Sequence, residues 1–154
     1  MRKFTHDQQI KALSWRQPYA DLMLDGKIET RTWPTNYRGW VLICSSKKAY
    51  NLDVIDDISG NEGLVRIVDI IASTGRLTQK TGYALSIGYL VDCREMLPED
   101  EEKCFVKYRP GLFCHVYEDV QALKNPIPWK GMLGWKNVPN EFKVGIEKNI
   151  SYDS

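Results

Sequence analysis

The sequence reads LSWRQPYA over residues 13–20, GKIETRTWP over residues 26–34 and YRGWVLICSSKK over residues 37–48, and these stretches decide the fold. Residues 10–15, 28–33 and 40–45 have the β-branched and aromatic content of strands. Pro18 suits the first turn of a helix, and Gly26 suits the position just after its last turn. We therefore predict the order strand, helix, strand, turn, strand.

The rest of the chain supplies further strands and helices. Strands are expected over residues 83–93, 112–117 and 134–138. Apolar spacing predicts helices over residues 47–58 and 62–74, whereas the acidic residues 98–102 are expected to face solvent. Residues 125–131 are expected to be extended and stiffened by proline. One domain should span residues 10–139, with terminal tails over residues 1–9 and 140–154.

These elements predict the fold class. Short strands separated by turns, with helices inserted after strands one and three, indicate an α+β fold built on a small β-barrel of five to six mixed strands. A barrel removes exposed sheet edges and leaves a mouth where strand ends and loops meet. Concave mouths of this kind are common binding sites, so we expect the site there.

Composition limits the classes of function. The chain has 154 residues, one ordinary domain, and a formal net charge of +1. This charge excludes a nonspecific phosphate-coating protein but allows a local basic pocket. The four cysteines and two histidines do not form a zinc knuckle, so we expect no metal, no cofactor and reduced thiols. Without an export signal or an apolar run of ~18 residues, we expect a cytoplasmic protein outside membranes.

The second strand carries charges at alternate positions. Glu29 and Arg31 are two residues apart, so their side chains should lie on one face, with Thr30 on the other. Basic and aromatic residues cluster around this strand in an otherwise near-neutral chain. Two alternatives remain open: Glu29 and Arg31 form only an ion pair, and Trp33 and Trp40 only fill the core.

The same stretches resemble the ASCH (activating signal cointegrator homology) family, whose domains have a PUA-like β-barrel. Residues 13–20 look like the family's first strand and helix, and residues 26–31 look like its Gly-x-Lys-x-x-Glu-x-Arg signature. Residues 37–47 are similar to its third strand, and residues 90–93 and 126–135 to its closing strands. The chain departs from the signature in one place, because only Ile28 separates Lys27 from Glu29.

The resemblance implies binding of RNA, another nucleic acid or a modified nucleoside in a basic and aromatic cleft at the barrel mouth. Trp15 or Trp33 would stack a base, and the basic side chains would meet phosphate or base edges. Glu29 would accept a hydrogen bond from an exocyclic amine or hold the basic groups in place. The candidate binding residues are Trp15, Arg16, Gln17, Lys27, Glu29, Arg31, Arg38, Ser46, Lys47 and Lys130.

The resemblance also implies an alternative, an enzyme. Some small ASCH relatives are amidohydrolases that remove the acyl group from acylated cytidine with a lysine, a threonine and a glutamate. The corresponding catalytic candidates are Lys27, Glu29 and Thr30. Aligned through Arg31, however, Glu29 takes the place of the threonine, and no residue is found for the enzyme's acid. A ribonuclease using Lys27 and Glu29 as general acid and base is a variant of this hypothesis, and a protein-interaction module is a third class.

Overall fold

A computed structural model describes residues 1–47, 81–131 and 134–150 and arranges them around a six-stranded sheet. The strand order is β2-β5-β4-β3-β1-β6. β1 and β3 run parallel, and every other neighbouring pair is antiparallel. The strands are β1 (Ile10–Trp15), β2 (Glu29–Arg31), β3 (Gly39–Ser45), β4 (Tyr83–Glu95), β5 (Phe113–Pro128) and β6 (Lys136–Asn137).

Helices in the described residues are short. α1 (Tyr19–Leu22) continues as a 3-10 turn over Met23–Asp25. α2 (Glu101–Cys104) follows a 3-10 turn over Pro98–Asp100, and α3 (Asn140–Asn149) lies near the C-terminus. None of these helices has the length and apolar content needed to span a bilayer. The helices predicted over residues 47–58 and 62–74 lie outside the described residues, apart from residue 47.

The structure confirms the predicted α+β class with six mixed strands, and it confirms the order of elements in the first third of the chain. α1 begins directly after Pro18, and the turn that follows it ends at Gly26. Gly26 has φ 83°, a left-handed conformation that glycine adopts without a steric penalty. The local signals therefore place these elements within one or two residues of the prediction.

The sheet has apolar side chains on both faces. Along β3, Trp40, Leu42 and Cys44 contribute to one buried cluster, and Val41 and Ile43 contribute to the other. This alternation follows from the two-residue period of a strand, and it makes β3 a central strand with no solvated face. The cluster containing Val41 also holds residues of β1 and α1, and it supports the cleft described below.

The predicted end of the fifth strand was wrong. Glu118 and Asp119 do not end β5, which continues to Pro128 and takes in most of the segment predicted to be extended. Register shifts interrupt its pairing with β4 at three places, and Asp119 has φ 53°. Such irregularities bend a strand and increase its twist, so a long bent strand can carry charged residues without ending.

The expectation of a terminal tail over residues 140–154 was also wrong for residues 140–150, the part of it that the structure describes. Residues Asn140–Asn149 form α3, and Ile146 is buried in the core with Ile150. At the other end of the chain, Phe4 is buried in the same cluster and packs edge-on against Trp40 with ring centroids 6.0 Å apart. Segments on both sides of residues 10–139 thus contribute to the core.

The acidic segment 98–102 is only partly solvated. Asp100 is buried and forms two hydrogen bonds with the Arg94 guanidinium, at 2.7 and 2.9 Å. It also accepts a hydrogen bond from the Leu97 backbone N–H. The bonds from Arg94 lower the pKa of Asp100 to about 2. This carboxylate therefore holds the turn that precedes α2, while Glu99 and Glu102 are exposed as expected.

Candidate functional site

A cleft of about 870 Å³ lies beside β2. Its walls come from the C-terminal end of β1, from β2 and its flanks, from the residues directly after β3, and from the loop between α2 and β5. The described lining residues are Leu13, Ser14, Trp15, Arg16, Tyr19, Lys27, Glu29, Thr30, Arg31, Thr32, Trp33, Ser46, Lys47, Val106, Lys107, Tyr108, Arg109, Leu112, Gly131 and Gly134.

A paired carboxylate lies in this cleft. Glu29 Oε1 accepts hydrogen bonds from Lys27 Nζ at 3.0 Å and from the Thr30 backbone N–H at 3.2 Å. Glu29 Oε2 lies 3.0 Å from Arg31 Nη2. The side chains of Lys27 and Glu29 are only 1% and 7% exposed. Burial raises the pKa of Glu29, but the charges of Lys27 and Arg31 outweigh burial and hold the pKa below its ordinary value.

Arg31 connects β2 to β1. Its Nη2 also donates to the Ser14 carbonyl oxygen at 2.9 Å. Its guanidinium lies 4.9 Å from the centre of the Trp15 ring and 5.8 Å from that of Trp33, within the range of cation–π attraction. The structure confirms that Glu29 and Arg31 share a face and form an ion pair. Both residues line the cleft, so the ion pair lies in the cleft wall.

The tryptophans of this region have different environments. Trp40 is 2% exposed, as the alternative of a purely core residue predicted. Trp33 is half-buried at the cleft and packs edge-on against His115 and Trp135, with ring centroids 5.1 and 6.0 Å apart. Trp15 lines the cleft but is only 1% exposed, so it has no face left for a base.

His115 holds Trp33 from behind. Its Nε2–H donates to the Trp33 carbonyl oxygen at 2.9 Å, and its Nδ1 has no hydrogen-bond partner among the described residues. Burial lowers the pKa of His115, and the nearby charge of Arg31 adds to this effect. The imidazole is therefore neutral near pH 7 and acts as a support for the Trp33 backbone.

The structure brings eight of the predicted site residues together: Trp15, Arg16, Lys27, Glu29, Thr30, Arg31, Ser46 and Lys47 all line the cleft. Three others lie off its surface. Gln17 is buried and accepts a hydrogen bond from the Asp21 backbone N–H. Arg38 is exposed and donates to the carbonyl oxygens of residues 35 and 37. Lys130 is exposed next to Gly131, which does line the cleft.

Sequence reasoning missed the loop between α2 and β5. Lys107, Tyr108 and Arg109 all line the cleft and are exposed. The signal that would have found them is an aromatic residue between two basic residues, followed by the Pro110-Gly111 turn. In the part of the chain that the structure describes, no group of three or more His, Cys, Asp or Glu side chains is arranged to hold a metal ion.

Comparison with solved structures identifies the fold. The crystal structure of ASCH from Zymomonas mobilis superposes with a TM-score of 0.57 over 92% of this chain and 96% of that chain. The chain has the ASCH fold. This superposition confirms the α+β fold that the resemblance to ASCH domains implied.

The ASCH fold is shared without close sequence similarity, because the two chains are 10% identical. No protein-family model and no curated protein matches the sequence. Similarity at this level extends to the fold and not to the chemistry of the cleft.

Proposed function

We propose that the chain binds nucleic acid, and RNA in particular, in the cleft beside β2. The observation that carries this proposal is the charge of the cleft. Its described lining holds one carboxylate, that of Glu29, and six basic side chains, in a chain whose formal net charge is +1. The basic residues are Arg16, Lys27, Arg31, Lys47, Lys107 and Arg109.

The basic residues of the cleft differ in whether they are already paired within the protein. Lys27 is already paired with Glu29, and Arg31 is paired with Glu29 and with a backbone carbonyl, so their donors are largely occupied. Lys47, Lys107 and Arg109 are exposed at the rim and form no ion pair with any described residue. Cations without a partner attract phosphate most strongly, so the rim is the part of the cleft that would meet a nucleic-acid backbone.

The aromatic residues favour a single strand over a duplex. Trp33 and Tyr108 both line the cleft and keep part of their surface exposed. Bases in a duplex are stacked on each other, whereas the bases of single-stranded RNA can stack on protein aromatic rings. From the sequence, either Trp15 or Trp33 was expected to stack a base. Because Trp15 is buried, the proposal assigns base stacking to Trp33.

Fluorescence anisotropy with a labelled single-stranded RNA tests the proposal. Lys47→Glu should weaken binding about 30-fold, because it replaces an attraction of about 1 kcal/mol in water with a repulsion of similar size. Lys124→Glu is the matched control, since Lys124 is exposed and lies outside the cleft lining. At 0.1 M salt, where the screening length is about 10 Å, this control should weaken binding much less than Lys47→Glu does. Absence of binding at low salt, or equal losses in the two variants, would contradict the proposal.

A second candidate function is the amidohydrolase or ribonuclease. The observation in its favour is that Lys27, Glu29 and Thr30 line one cleft, with Lys27 Nζ 3.0 Å from Glu29 Oε1. General acid–base hydrolysis of an amide or a phosphodiester uses a proton donor and a proton acceptor that each reach the reacting atoms, and a threonine hydroxyl can serve as a nucleophile. Lys27 and Glu29 already form a hydrogen-bonded ion pair, and this pairing limits their availability for proton transfer to a substrate.

Incubation with acetylcytidine, followed by chromatography, tests the second candidate. Release of cytidine by the wild type and its loss in Thr30→Val would establish hydrolysis. Recovery of intact acetylcytidine at stoichiometric protein concentration would end this candidate and leave RNA binding unaffected. Labelled RNA analysed on a gel under the same conditions tests the ribonuclease variant, with Lys27→Met as the comparison.

A further inference from the structure

The loop between α2 and β5 forms one wall of the cleft and is anchored at both ends. Phe105 ends α2 in a left-handed conformation with φ 61° and is buried. Gly111 has φ 89°, and Leu112, which follows it, is buried. In the middle of the loop, the Tyr108 backbone N–H donates to Glu101 Oε2 at 2.6 Å. The backbone is thus held at three points, although the side chains between the ends are exposed.

The side chains of Lys107, Tyr108 and Arg109 take no part in the three contacts described above that anchor this loop. Tyr108 is 37% exposed, and the hydrogen bond that anchors it uses its backbone N–H rather than its ring. Lys107 and Arg109 form no ion pair with any residue that the structure describes. An exposed aromatic ring between two unpaired cations matches a nucleotide, which offers a flat base and phosphates on either side.

The size of the cleft also points to a ligand longer than one nucleoside. Its volume of about 870 Å³ lies near the upper end of the range of about 300–1,000 Å³ typical of sites that hold whole drug-sized ligands. Trp33 on β2's flank and Tyr108 on the loop are two separate aromatic residues in the same cleft. One base can use one of these rings, so the second ring is available for another base.

We propose that Lys107, Tyr108 and Arg109 form a second nucleotide subsite. Tyr108 stacks one base, and Lys107 and Arg109 contact the phosphates next to it. The ligand is then a single strand of two or more nucleotides, with one base near Trp33 and another on Tyr108. This inference rests on the proposed function, since it assumes that the cleft binds nucleic acid, and it specifies the length and strandedness of the ligand.

Binding of a series of oligoribonucleotides tests the subsite. Unlabelled cytidine monophosphate, a dinucleotide and a hexanucleotide compete against a labelled hexanucleotide, and the hexanucleotide should bind most tightly. Tyr108→Ala should weaken hexanucleotide binding about 5- to 150-fold, the loss of one base stack, and Tyr108→Phe should retain it. The alanine keeps the backbone N–H that anchors the loop, so the thermal melting curve should not change.

A salt titration tests the two cations separately from the ring. The double variant Lys107→Ala/Arg109→Ala should lower the slope of log affinity against log salt by about 1.4, since each phosphate contact to a single strand contributes about 0.7. Lys124→Ala/Lys148→Ala is the matched control, because it removes two exposed lysines outside the cleft lining. This control should leave the slope unchanged.

The outcomes separate the subsite from the proposed function. If the wild type binds the hexanucleotide and Lys47→Glu weakens binding, but Tyr108→Ala does not, the subsite is wrong and the proposed function stands. Equal affinity for the monophosphate and the hexanucleotide also overturns the subsite. If no oligonucleotide binds at low salt, both the subsite and the proposed function are wrong.

Discussion

Replacing Glu29 with glutamine removes the charge that compensates two cations in the cleft. Glu29 accepts hydrogen bonds from Lys27 and from the Thr30 N–H, at 3.0 and 3.2 Å, and lies 3.0 Å from Arg31. Glutamine keeps the shape of the side chain, but it cannot balance the ammonium of Lys27, which is 1% exposed and cannot reach water without rearrangement. Removing one partner of a buried ion pair typically destabilises the folded state by about 3–5 kcal/mol, and we expect Glu29→Gln to lower the unfolding free energy by this amount.

Replacing Lys27 should lower the unfolding free energy less than replacing Glu29 does. Lys27→Met removes the buried cation and fills its space with an apolar chain of similar length, while Glu29 keeps its pair with Arg31. We expect a loss of about 1–2 kcal/mol, within the range of ordinary single substitutions. The double variant Lys27→Met/Glu29→Gln should be more stable than Glu29→Gln alone, because the uncompensated buried cation is gone. This ordering is the signature of a coupled pair in a double-mutant cycle.

The effect of Glu29→Gln should depend on pH. The folded state holds the pKa of Glu29 below its ordinary value, because Lys27 and Arg31 together outweigh burial, which raises it. A carboxylate with a lowered pKa stabilises the fold fully above its unfolded pKa of about 4.3, and this contribution disappears as the pH falls through the folded pKa. The difference in unfolding free energy between wild type and variant should therefore be constant near neutral pH and shrink below about pH 4.

Urea denaturation followed by tryptophan fluorescence measures these differences. For a protein of this size, a loss of 3–5 kcal/mol corresponds to a decrease of about 6–20 °C in melting temperature. Glu99→Gln is the matched control, because Glu99 is exposed, and it should change stability by less than about 0.5 kcal/mol. Equal stability of Glu29→Gln and this control, or a larger loss of stability in Lys27→Met than in Glu29→Gln, would refute the role of Glu29 in compensating the two cations.

The remaining predictions concern a buried carboxylate, two glycines and a thiol. Asp100→Asn should lower the unfolding free energy by about 1–3 kcal/mol at pH 7. The loss should be smaller below about pH 4, because hydrogen bonds from Arg94 lower the pKa of Asp100 to about 2. Urea unfolding at pH 7 and pH 3 measures both losses, and equal losses would contradict the prediction. Gly39→Ala should cost about 1–3 kcal/mol, because φ is 146° and the added Cβ would lie 2.9 Å from a tyrosine hydroxyl. Gly145→Ala, in a helix with open space around it, should instead stabilise by about 0.5–1 kcal/mol, and thermal melts that rank the two glycine variants otherwise would refute the geometry. One thiol, that of half-buried Cys93, should react rapidly with an aromatic disulfide reagent, since the other three cysteines are buried; a fast phase that persists in Cys93→Ser would be inconsistent with this burial.

Local signals explain why the first third of the chain could be predicted. Pro18 and Gly26 act on their own and adjacent backbone positions, so they define where a helix begins and ends without help from distant residues. The shared face of Glu29 and Arg31 follows from the two-residue period of a strand. These inferences needed no partner strand, and the structure agrees with them.

Distant contacts explain where the prediction of β5 failed. Glu118 and Asp119 read as the end of a strand, but both carboxylates lie 3.0 Å from the Arg2 guanidinium, which comes from the other end of the chain. α3 was missed for a similar reason. Its residues are mostly polar and exposed, and the apolar side chain that holds it, Ile146, is recognisable only once the core it enters has formed.

The far wall of the cleft could not be predicted from the local sequence for the same reason. The antiparallel pairing of β2 with β5 places Glu29 opposite His115, and α2 and its loop precede β5 directly. Lys107, Tyr108 and Arg109 reach the cleft through this pairing, although more than seventy residues separate them from Glu29 in the sequence. A scan for motifs around Glu29 cannot find them, because sheet pairing between distant strands is decided by the whole core.

The fold class, the first elements and the shared face of Glu29 and Arg31 could be predicted from the sequence, because they depend on backbone preferences and side-chain periodicity over a few positions. The pairing of Lys27 with Glu29 was seen only in the structure. The structure shows that Trp15 is buried while Trp33 is accessible. It also shows that Gln17, Arg38 and Lys130 lie off the cleft surface and that a distant loop completes the cleft wall. None of these properties follows from the local sequence. Burial and proximity depend on which strands pair and how the sheet bends. Those properties belong to the folded chain as a whole.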